Sequence, residues 1–529
     1  MARRTGTTDR ASAPAGAVRL ALVVPLLAAC ASAPGVRPGA PSLREVADSA
    51  IAAPPLDRTQ WGIEVYDPER DRVLYRLNPE KHFIPASNMK LVTAAVAMGE
   101  LGPEYRYRTE LYAVGAADSV ADSLVVLGSG DPTMSARFFE SDAAPIEALA
   151  DSIRVAGIRR VAGPIVVDAS RFDDRFVHPS WEVGDLPWSY AAPVAAFAIA
   201  EASADVVVSP GAAPGDPAIL SFAEPTEAFE LRNRILTDTA LARTVVRVDR
   251  APGSYALDLS GTIALDAAPD TTRIAVVEPA LHAGRALRAA LERRGVVVEG
   301  DVRVVYDTIE AASLRAAMRG FDAVPPPDTP PSPTAAPPDT VPPARLVATW
   351  TSPPMREIIA AILEPSQNWI AEQVLKTLGA ERTGHGTWAA GRDVARRYLI
   401  DVVGIDSTAF FLVDGSGLSA QNLLSPHAIV RLLDHVRRQP WGAEFRDALP
   451  EPGEPKSTLE DRLRGLEGRV HAKTGTITHV NTLGGYVRTE DGRDLIFSVM
   501  TNASGVPGSV VRRAIDRIVR AIAGTGGRE

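Results

Sequence analysis

The sequence predicts an α/β fold in which both ends of the chain contribute to one domain and a large β-rich segment is inserted between them. Strand-like runs lie near both ends of the chain, at 61–77 and from residue 469 onward. Helical patterns dominate 353–448, whereas short β-rich runs separated by turn residues fill the chain from about 105 to 320. The simplest architecture is therefore one α/β domain built from both ends of the chain and interrupted by one or two small β-rich domains.

Length and composition limit the classes of function. The 529 residues are too many for one ordinary domain. The net charge of −9 argues against nucleic acid as the main partner, because phosphate binding requires a basic face. The sequence contains no GxxxxGK[ST], no HExxH and no cysteine pair that could hold zinc. We therefore expect neither a metal nor another cofactor.

Residues 1–29 are predicted to be a signal peptide. Arginines precede the apolar run LALVVPLLAA, which is too short to serve as a stable membrane anchor. The run ends in Leu27-Ala28-Ala29-Cys30, which resembles a bacterial lipobox, so lipidation of Cys30 is expected. Cleavage after the triplet 31–33 is the alternative, although Pro34 would then follow the cut. Both routes export the protein, and the lipobox predicts a periplasmic lipoprotein anchored to the membrane.

Residues 30–44 are predicted to be a tether, and 45–104 the first part of the α/β domain. Two alternating apolar runs in 61–77 flank Asp67-Pro68-Glu69-Arg70-Asp71, which is typical of a β-hairpin. The stretch PASNMKLVTAAVA that follows is expected to form an apolar helix after its first five residues and to end at Gly102-Pro103.

The rest of the chain divides at a proline-rich segment. Residues 105–323 are predicted to be the inserted β-rich domains, with one helix at 280–295. Residues 324–344 are predicted to be a linker, because ten prolines within 324–343 exclude a packed core. Residues 345–529 form the predicted second part of the α/β domain, with four helical patterns, three strand-like runs and a last amphipathic helix.

The first chemical motif is Ser87-Asn88-Met89-Lys90. Only five of the 56 basic residues are lysines, and one of them, Lys90, lies in an apolar helix three residues after Ser87. Residues with this spacing share a helix face. Burial lowers the pKa of a lysine, which then accepts a proton from serine, whereas arginine stays charged. Taken alone, Ser87 is more simply a helix cap; the functional interpretation is a nucleophilic serine with a lysine base.

Two further motifs each occur once. Ser366-Gln367-Asn368 lies on a connection between two helical segments, and Lys473-Thr474-Gly475 lies at the end of a strand-like run. Each has a plain structural interpretation by itself, as a helix cap or as a turn after a strand. The presence of all three motifs, once each and in this order, argues against a chance occurrence.

Ser-x-x-Lys, Ser-x-Asn and Lys-Thr-Gly form the motif set of penicillin-recognising serine enzymes. Gly130-Asp131-Pro132-Thr133, the segment 414–419 and the wide spacing between the first two motifs resemble the class C low-molecular-mass penicillin-binding proteins. These are D-alanyl-D-alanine carboxypeptidase/endopeptidases of the penicillin-binding protein 4 type. The resemblance covers about 45–525. It implies a serine β-lactamase/transpeptidase-like domain, with an antiparallel sheet flanked by helices, an all-helical part and extra domains between the first two motifs.

The resemblance also implies roles for the motif residues. Ser87 attacks the carbonyl between two D-alanines of a peptidoglycan stem peptide, forms an acyl-enzyme and is acylated by β-lactams. Lys90 is the base, while Ser366 and Asn368 relay a proton to the leaving amine and hold the substrate amide. The residues implied in binding the terminal carboxylate are Lys473, Thr474, Gly475 and Thr476. Backbone N–H groups of Ser87 and Thr476 are expected to form the oxyanion hole, each donor worth about 3–4 kcal/mol.

A second segment extends the resemblance. Trp181-Glu182-Val183-Gly184-Asp185, followed by Tyr190, is similar to a family segment whose acidic residue meets the free amine of a diamino-acid side chain. Asp185 would play that part, with Tyr190 also at the substrate site; an exposed structural aspartate is the alternative. Relatives often have two tryptophans here, whereas this segment has one.

Two other functions remain open from the sequence. One is a β-lactamase or esterase of the same fold, against which the large insertion argues. The other is a catalytically silent envelope protein that only binds ligands. The intact Ser87, Lys90 and Lys473 argue against it, because a buried lysine is costly to retain.

Overall fold

The computed structural model describes residues 41–319, except 225 and 227, and residues 344–526. The predicted signal peptide, the lipidated Cys30 and nearly all of the proline-rich linker lie outside these residues. The α-helices in the described ranges are α1 (Leu43–Ala52), α2 (Met89–Glu100), α3 (Ala144–Val155), α4 (Pro279–Arg293), α5 (Thr308–Arg319), α6 (Met355–Leu363), α7 (Asn368–Thr383), α8 (Trp388–Arg397), α9 (Pro426–Val436), α10 (Gly442–Asp447) and α11 (Gly508–Ala523).

The strands belong to a main sheet and to sheets of the insertion. They are β1 (Gln60–Asp67), β2 (Arg72–Leu77), β3 (Arg108–Val114), β4 (Val120–Ala121), β5 (Ser123–Leu127), β6 (Arg160–Val161), β7 (Ile165–Asp168), β8 (Ser203–Ser209), β9 (Ile219–Phe222), β10 (Glu230–Asp238), β11 (Val245–Asp249), β12 (Ala256–Ala264), β13 (Asp270–Ala275), β14 (Val297–Val298), β15 (Val302–Val305), β16 (Ala344–Thr351), β17 (Phe410–Phe411), β18 (Leu423–Leu424), β19 (Val470–Ile477), β20 (Val480–Arg488) and β21 (Asp494–Asn502).

The main sheet is antiparallel and has the strand order β19-β20-β21-β1-β2. Strand β1 pairs with β21, with Ile63 opposite Val499, so the beginning and the end of the domain meet in the middle of the sheet. The hairpin predicted at 61–77 and the three strand-like runs near the end of the chain are confirmed as β1, β2 and β19 to β21.

Helices cover both faces of this sheet. On one face α1 and α11 share a core with the strands through apolar side chains such as Ala47 and Ile515. On the other face the apolar α2, in which all residues from Met89 to Met98 are buried, packs within the helical part of the domain. None of the helices in the described ranges is both long enough and apolar enough to cross a bilayer.

Within the described residues the insertion forms a mixed sheet and three three-stranded sheets, one of which is β14-β6-β4, and the other two enclose a core of their own. The mixed sheet has the order β15-β7-β5-β3-β16. Strand β7 pairs in parallel with β15 and β5, whereas β3 pairs antiparallel with both β5 and β16. Beyond it, the three-stranded sheets β13-β8-β9 and β10-β12-β11 bury a core of aliphatic side chains that includes Val206, Leu257 and Ile274.

Three details differ from the sequence prediction. The described part of the insertion contains three α-helices, α3, α4 and α5, whereas the sequence predicted one, at 280–295. Strand β16 pairs with β3 of the insertion, so 344–351 extends the inserted sheet instead of opening the second part of the α/β domain. Helix α1 begins at Leu43 because Ser42 and Glu45 form a capping box, which ends the expected tether two residues early.

Candidate active site

Ser87 lies in a short 3-10 turn, Ala86–Asn88, that leads directly into α2. Ala86 has a φ of +47°, a left-handed conformation that costs a non-glycine residue energy. Two neighbours hold this turn. The hydroxyl of Thr482 donates to the carbonyl of Pro85 at 2.9 Å, and a Cβ built on Gly417 would lie 1.8 Å from the carbonyl of Ala86. Glycine is therefore required at 417, and the nucleophile turn is packed from both sides.

Lys90 is fully buried, and its amine has three partners. The Nζ atom lies 2.9 Å from Ser87 Oγ, 2.7 Å from Asn368 Oδ1 and 2.8 Å from the carbonyl oxygen of Ser416. The structure thus brings Lys90, Ser87 and Asn368 together as the sequence predicts.

The protonation of Lys90 is set by opposing effects. Burial lowers its pKa to about 7, and the negative charges of Asp414 and Glu372 oppose that shift. A lysine with this pKa is neutral in a large fraction of molecules near neutral pH, which is the condition for it to act as a base.

The second motif lies at the start of α7. Asn368 is the first residue of this helix, and its Nδ2 donates to the carbonyl of Tyr190 at 2.8 Å. Ser366 is half-buried and has a φ of +64°. The helix cap is Gln367, whose Oε1 accepts the N–H of Ile370, whereas its Nε2 donates to Glu201 of the insertion. The alternative interpretation of Ser366, as the cap of this helix, is therefore wrong.

Lys473 lies in β19, an edge strand of the main sheet. Its side chain is fully buried, and Nζ donates to the carbonyl of Thr474 at 3.1 Å. Burial, and then the charge of Lys90, lower the pKa of Lys473. Asn88 fixes this strand against the nucleophile turn, because its Nδ2 donates to the carbonyl of Lys473 at 2.8 Å.

Gly475 permits the closest approach between β19 and the nucleophile. A Cβ at this position would lie 2.7 Å from the carbonyl oxygen of Pro85 and 3.0 Å from the backbone nitrogen of Ser87. Thr474 is buried and Thr476 is exposed at the same strand end. Because β19 is an edge strand, its outer backbone groups are not used by the sheet. The backbone nitrogen of Ser87 lies beside Gly475 of this strand, a close approach on which the expected oxyanion hole depends.

The loop 414–419 also contacts Lys90, through the carbonyl of Ser416. The buried carboxylate of Asp414 accepts the N–H groups of Gly417 and Ser419, the amide of Asn422 and the indole N–H of Trp181. These bonds hold the loop in the shape that presents the carbonyl of Ser416 to Lys90.

Asp185 and Tyr190 contact each other. The Tyr190 hydroxyl donates to Asp185 Oδ1 at 2.8 Å, and burial and this carboxylate raise the pKa of Tyr190. Asp185 is half-buried and Tyr190 is exposed. The carbonyl of Tyr190 accepts from Asn368, which places this segment of the insertion beside the second motif.

Sequence reasoning missed two side chains near the site. Glu372 and Lys376 are fully buried and follow Asn368 on α7 at intervals of four residues. Asp173 pairs with Lys376 at 2.6 Å. A polar stripe at helical spacing in an otherwise buried helix was the available signal. No group of side chains in the described residues could hold a metal ion.

Comparison with known proteins agrees with this geometry. The model of the D-Ala-D-Ala carboxypeptidase 3 (S13) family matches residues 43–319 and 335–522. A D-alanyl-D-alanine carboxypeptidase from an Actinomadura species is 32% identical over 521 residues, which cover 96% of this chain and 89% of that protein. A penicillin-sensitive carboxypeptidase A from Dictyostelium discoideum is 22% identical over 87% of this chain and 86% of that protein.

A solved structure shows the same fold. The crystal structure of penicillin binding protein 4 from Haemophilus influenzae superposes with a TM-score of 0.74 at 18% identity, covering 90% of this chain and 99% of that one. The chain belongs to the D-Ala-D-Ala carboxypeptidase 3 (S13) family.

Proposed function

We propose that this protein is a serine D-Ala-D-Ala carboxypeptidase, with endopeptidase action at the same site, that cleaves peptidoglycan stem peptides through an acyl-enzyme. The observation that carries the proposal is the fully buried amine of Lys90, placed 2.9 Å from Ser87 Oγ and 2.7 Å from Asn368 Oδ1. A serine hydroxyl beside a lysine that is partly neutral is an activated nucleophile.

Acylation begins when neutral Lys90 takes the proton of the Ser87 hydroxyl. The oxygen then attacks the carbonyl carbon between the two D-alanines, and the carbonyl oxygen becomes an oxyanion. The N–H groups of Ser87 and Thr476 are the proposed donors to it, each worth about 3–4 kcal/mol of transition-state stabilisation.

Collapse of this intermediate breaks the peptide bond. The proton held by Lys90 passes to the leaving amine through the hydroxyl of Ser366, and the terminal D-alanine departs. Asn368 Oδ1 orients Lys90 for this step, and its amide holds the peptide of the substrate. Water then attacks the ester carbonyl, and Lys90 accepts its proton. As the ester bond breaks, Lys90 returns this proton to Ser87 Oγ, and the shortened peptide leaves with a new terminal carboxyl group.

Recognition of the substrate carboxylate is assigned to β19. Lys473 supplies a fixed positive charge, and the threonines on either side of Gly475 supply hydroxyl donors. Among the described residues, the amine of Lys473 has one hydrogen-bond partner, the backbone carbonyl of Thr474. The amine can therefore also donate to the substrate carboxylate.

Asp185 is proposed to meet the free amine of the diamino acid in the stem peptide. Its carboxylate already accepts the hydroxyl of Tyr190, which orients it beside the second motif. Cys30 is proposed to carry a lipid that holds the exported enzyme at a membrane, on the strength of the lipobox-like sequence before it. Membrane fractionation of Cys30→Ala tests the anchor, because the variant should appear in the soluble fraction.

A fluorescent penicillin tests the proposed function. The expected result is one covalent adduct per molecule, located on Ser87 by peptide mapping and absent from Ser87→Ala. Absence of an adduct on the wild-type protein contradicts the assignment, and rapid release of hydrolysed penicillin favours a β-lactamase. Release of D-alanine from a pentapeptide, measured on the same sample, distinguishes a peptidase from a protein that only binds.

A further inference from the structure

Glu372 is a fully buried carboxylate that the proposed chemistry does not use. It lies one helical turn after Asn368 on α7, so both side chains leave the same face of the helix. Its hydrogen bonds do not include Ser87, and it is not part of any of the three motifs.

The carboxylate of Glu372 is saturated by backbone and indole donors. Its oxygens accept the N–H of Ser416 at 2.7 Å, the N–H of Gly415 at 3.1 Å and the indole N–H of Trp388 at 2.8 Å. Three donors aimed at one carboxylate favour its ionised form, whereas burial, and then Asp414, raise its pKa to about 7.

Ser416 joins this carboxylate to the base. Its N–H donates to Glu372, and its carbonyl accepts from Lys90 Nζ at 2.8 Å. The neighbouring carbonyl of Gly415 accepts the hydroxyl of Thr93, which lies on α2 like Lys90. Glu372 therefore fixes the backbone of Ser416, whose carbonyl is one of the hydrogen-bond partners of Lys90.

The charge of Glu372 also reaches Lys90. The groups that face Lys90 are Ser87 from the turn before α2, Asn368 and Glu372 from α7, Asp414 from the loop, and Lys473 from β19. Asp414 and Glu372 favour the protonated lysine, and Lys473 opposes it. Lys376, a buried cation on α7, pairs with Asp173, and the charge of Glu372 also favours its protonated form.

We propose that Glu372 is a positioning residue for the Lys90–Ser87 pair, which fixes the Ser416 carbonyl on Lys90 and holds a negative charge near the amine. This inference rests on the proposed function, because it assigns Glu372 a part in the same acylation. Two consequences follow. Without Glu372 the Ser416 carbonyl that accepts from Lys90 is no longer held in place. The pKa of Lys90 also falls, because the fraction of Glu372 that is ionised near neutral pH no longer favours the protonated amine.

The first measurement is the rate constant of acylation by fluorescent penicillin from pH 5.5 to 9.5. For Glu372→Gln we expect a plateau at least tenfold lower, together with an acid limb whose midpoint moves to lower pH. The control Glu357→Gln, at an exposed position of α6, should change neither. A plateau that falls with an unmoved midpoint indicates a merely structural residue and overturns the proposal, as does an unchanged profile.

The second measurement does not depend on peptidase activity. The chain has five lysines, so ε-¹³C-lysine labelling gives five side-chain signals, and the Lys90 signal is the one missing from Lys90→Arg. Its titration midpoint should move to lower pH in Glu372→Gln, and an unmoved midpoint overturns the proposal even if no penicillin adduct forms. If the glutamine variant does not fold, Glu372→Asp replaces it, because a shorter carboxylate retreats from Ser416; wild-type acylation in that variant overturns the proposal.

Discussion

Lys90 and Lys473 are both fully buried, and burial, and then the charge of Lys90, lower the pKa of Lys473. The repulsion between two ammonium groups is reciprocal, so the two lysines titrate as a pair. The proposed chemistry needs opposite states in the two residues, a neutral Lys90 and a charged Lys473. A neutral Lys90 no longer repels the charge on Lys473, so loss of the Lys90 proton favours the charged form of Lys473.

Replacing Lys473 tests this coupling. The acylation rate of the wild-type protein should rise with pH through about 7, since Lys90 must lose its proton to act as a base. In Lys473→Met a neighbouring positive charge is gone, so the pKa of Lys90 rises and the acid limb should move to higher pH by roughly 1 unit. Stopped-flow acylation by penicillin measures the acid limb of the wild-type protein and that of the variant. A limb that moves to lower pH contradicts the pairing.

Lys90→Arg separates charge from proton transfer. Arginine keeps a cation beside Ser87 but does not deprotonate, so acylation should fall by about 10³-fold. The matched control is Lys81→Arg at an exposed position, which should acylate normally. Circular dichroism shows whether each variant is folded. Normal acylation by a folded Lys90→Arg protein would exclude Lys90 as the base.

Gly475→Ala tests the contact between β19 and the nucleophile turn. The added methyl group would lie 2.7 Å from the Pro85 carbonyl, so the strand must move away from Ser87. Because a displacement of about 1 Å can cost about 10²-fold in rate, we expect a loss of that order in acylation. Gly505→Ala is the control, since its methyl group meets open space. Equal rates in the two variants would show that the close approach is not needed.

Asp185→Asn tests recognition of the substrate side chain. Removing the carboxylate charge should lower kcat/KM roughly tenfold for peptides with a free side-chain amine and leave acetylated peptides unaffected. Tyr190→Phe removes only the hydroxyl that donates to Asp185, so a smaller loss on the same peptides is expected. Peptide hydrolysis with both substrates provides the comparison. An equal loss on acetylated peptides would assign Asp185 a structural role.

Local patterns explain why so much of the site was predictable. The Ser87–Lys90 spacing determines a shared helix face, and the alternation in 61–77 determines a hairpin. The same reasoning should have found α3, where Ile146, Leu149, Ala150 and Ile153 are buried at helical spacing. Surrounding β-rich runs instead favoured a strand interpretation of the insertion outside 280–295.

Contacts between distant segments were not predictable in this way. Periodicity places Glu372 on the face of Asn368, but it does not show that the N–H groups of Gly415 and Ser416 meet that carboxylate. The pairing of β16 with β3 likewise joins segments on either side of the insertion. Such contacts depend on tertiary packing, which a single sequence does not display.

The pairing of β1 with β21 determines when the protein becomes active during its synthesis and folding. Ser87 is made early in synthesis, but the sheet that carries Lys473 closes only when the last strands arrive. Contacts between such distant segments form slowly, because a long loop must be ordered first. An incomplete chain therefore has a serine but no working catalyst, and penicillin labelling should report only molecules whose synthesis and folding are finished.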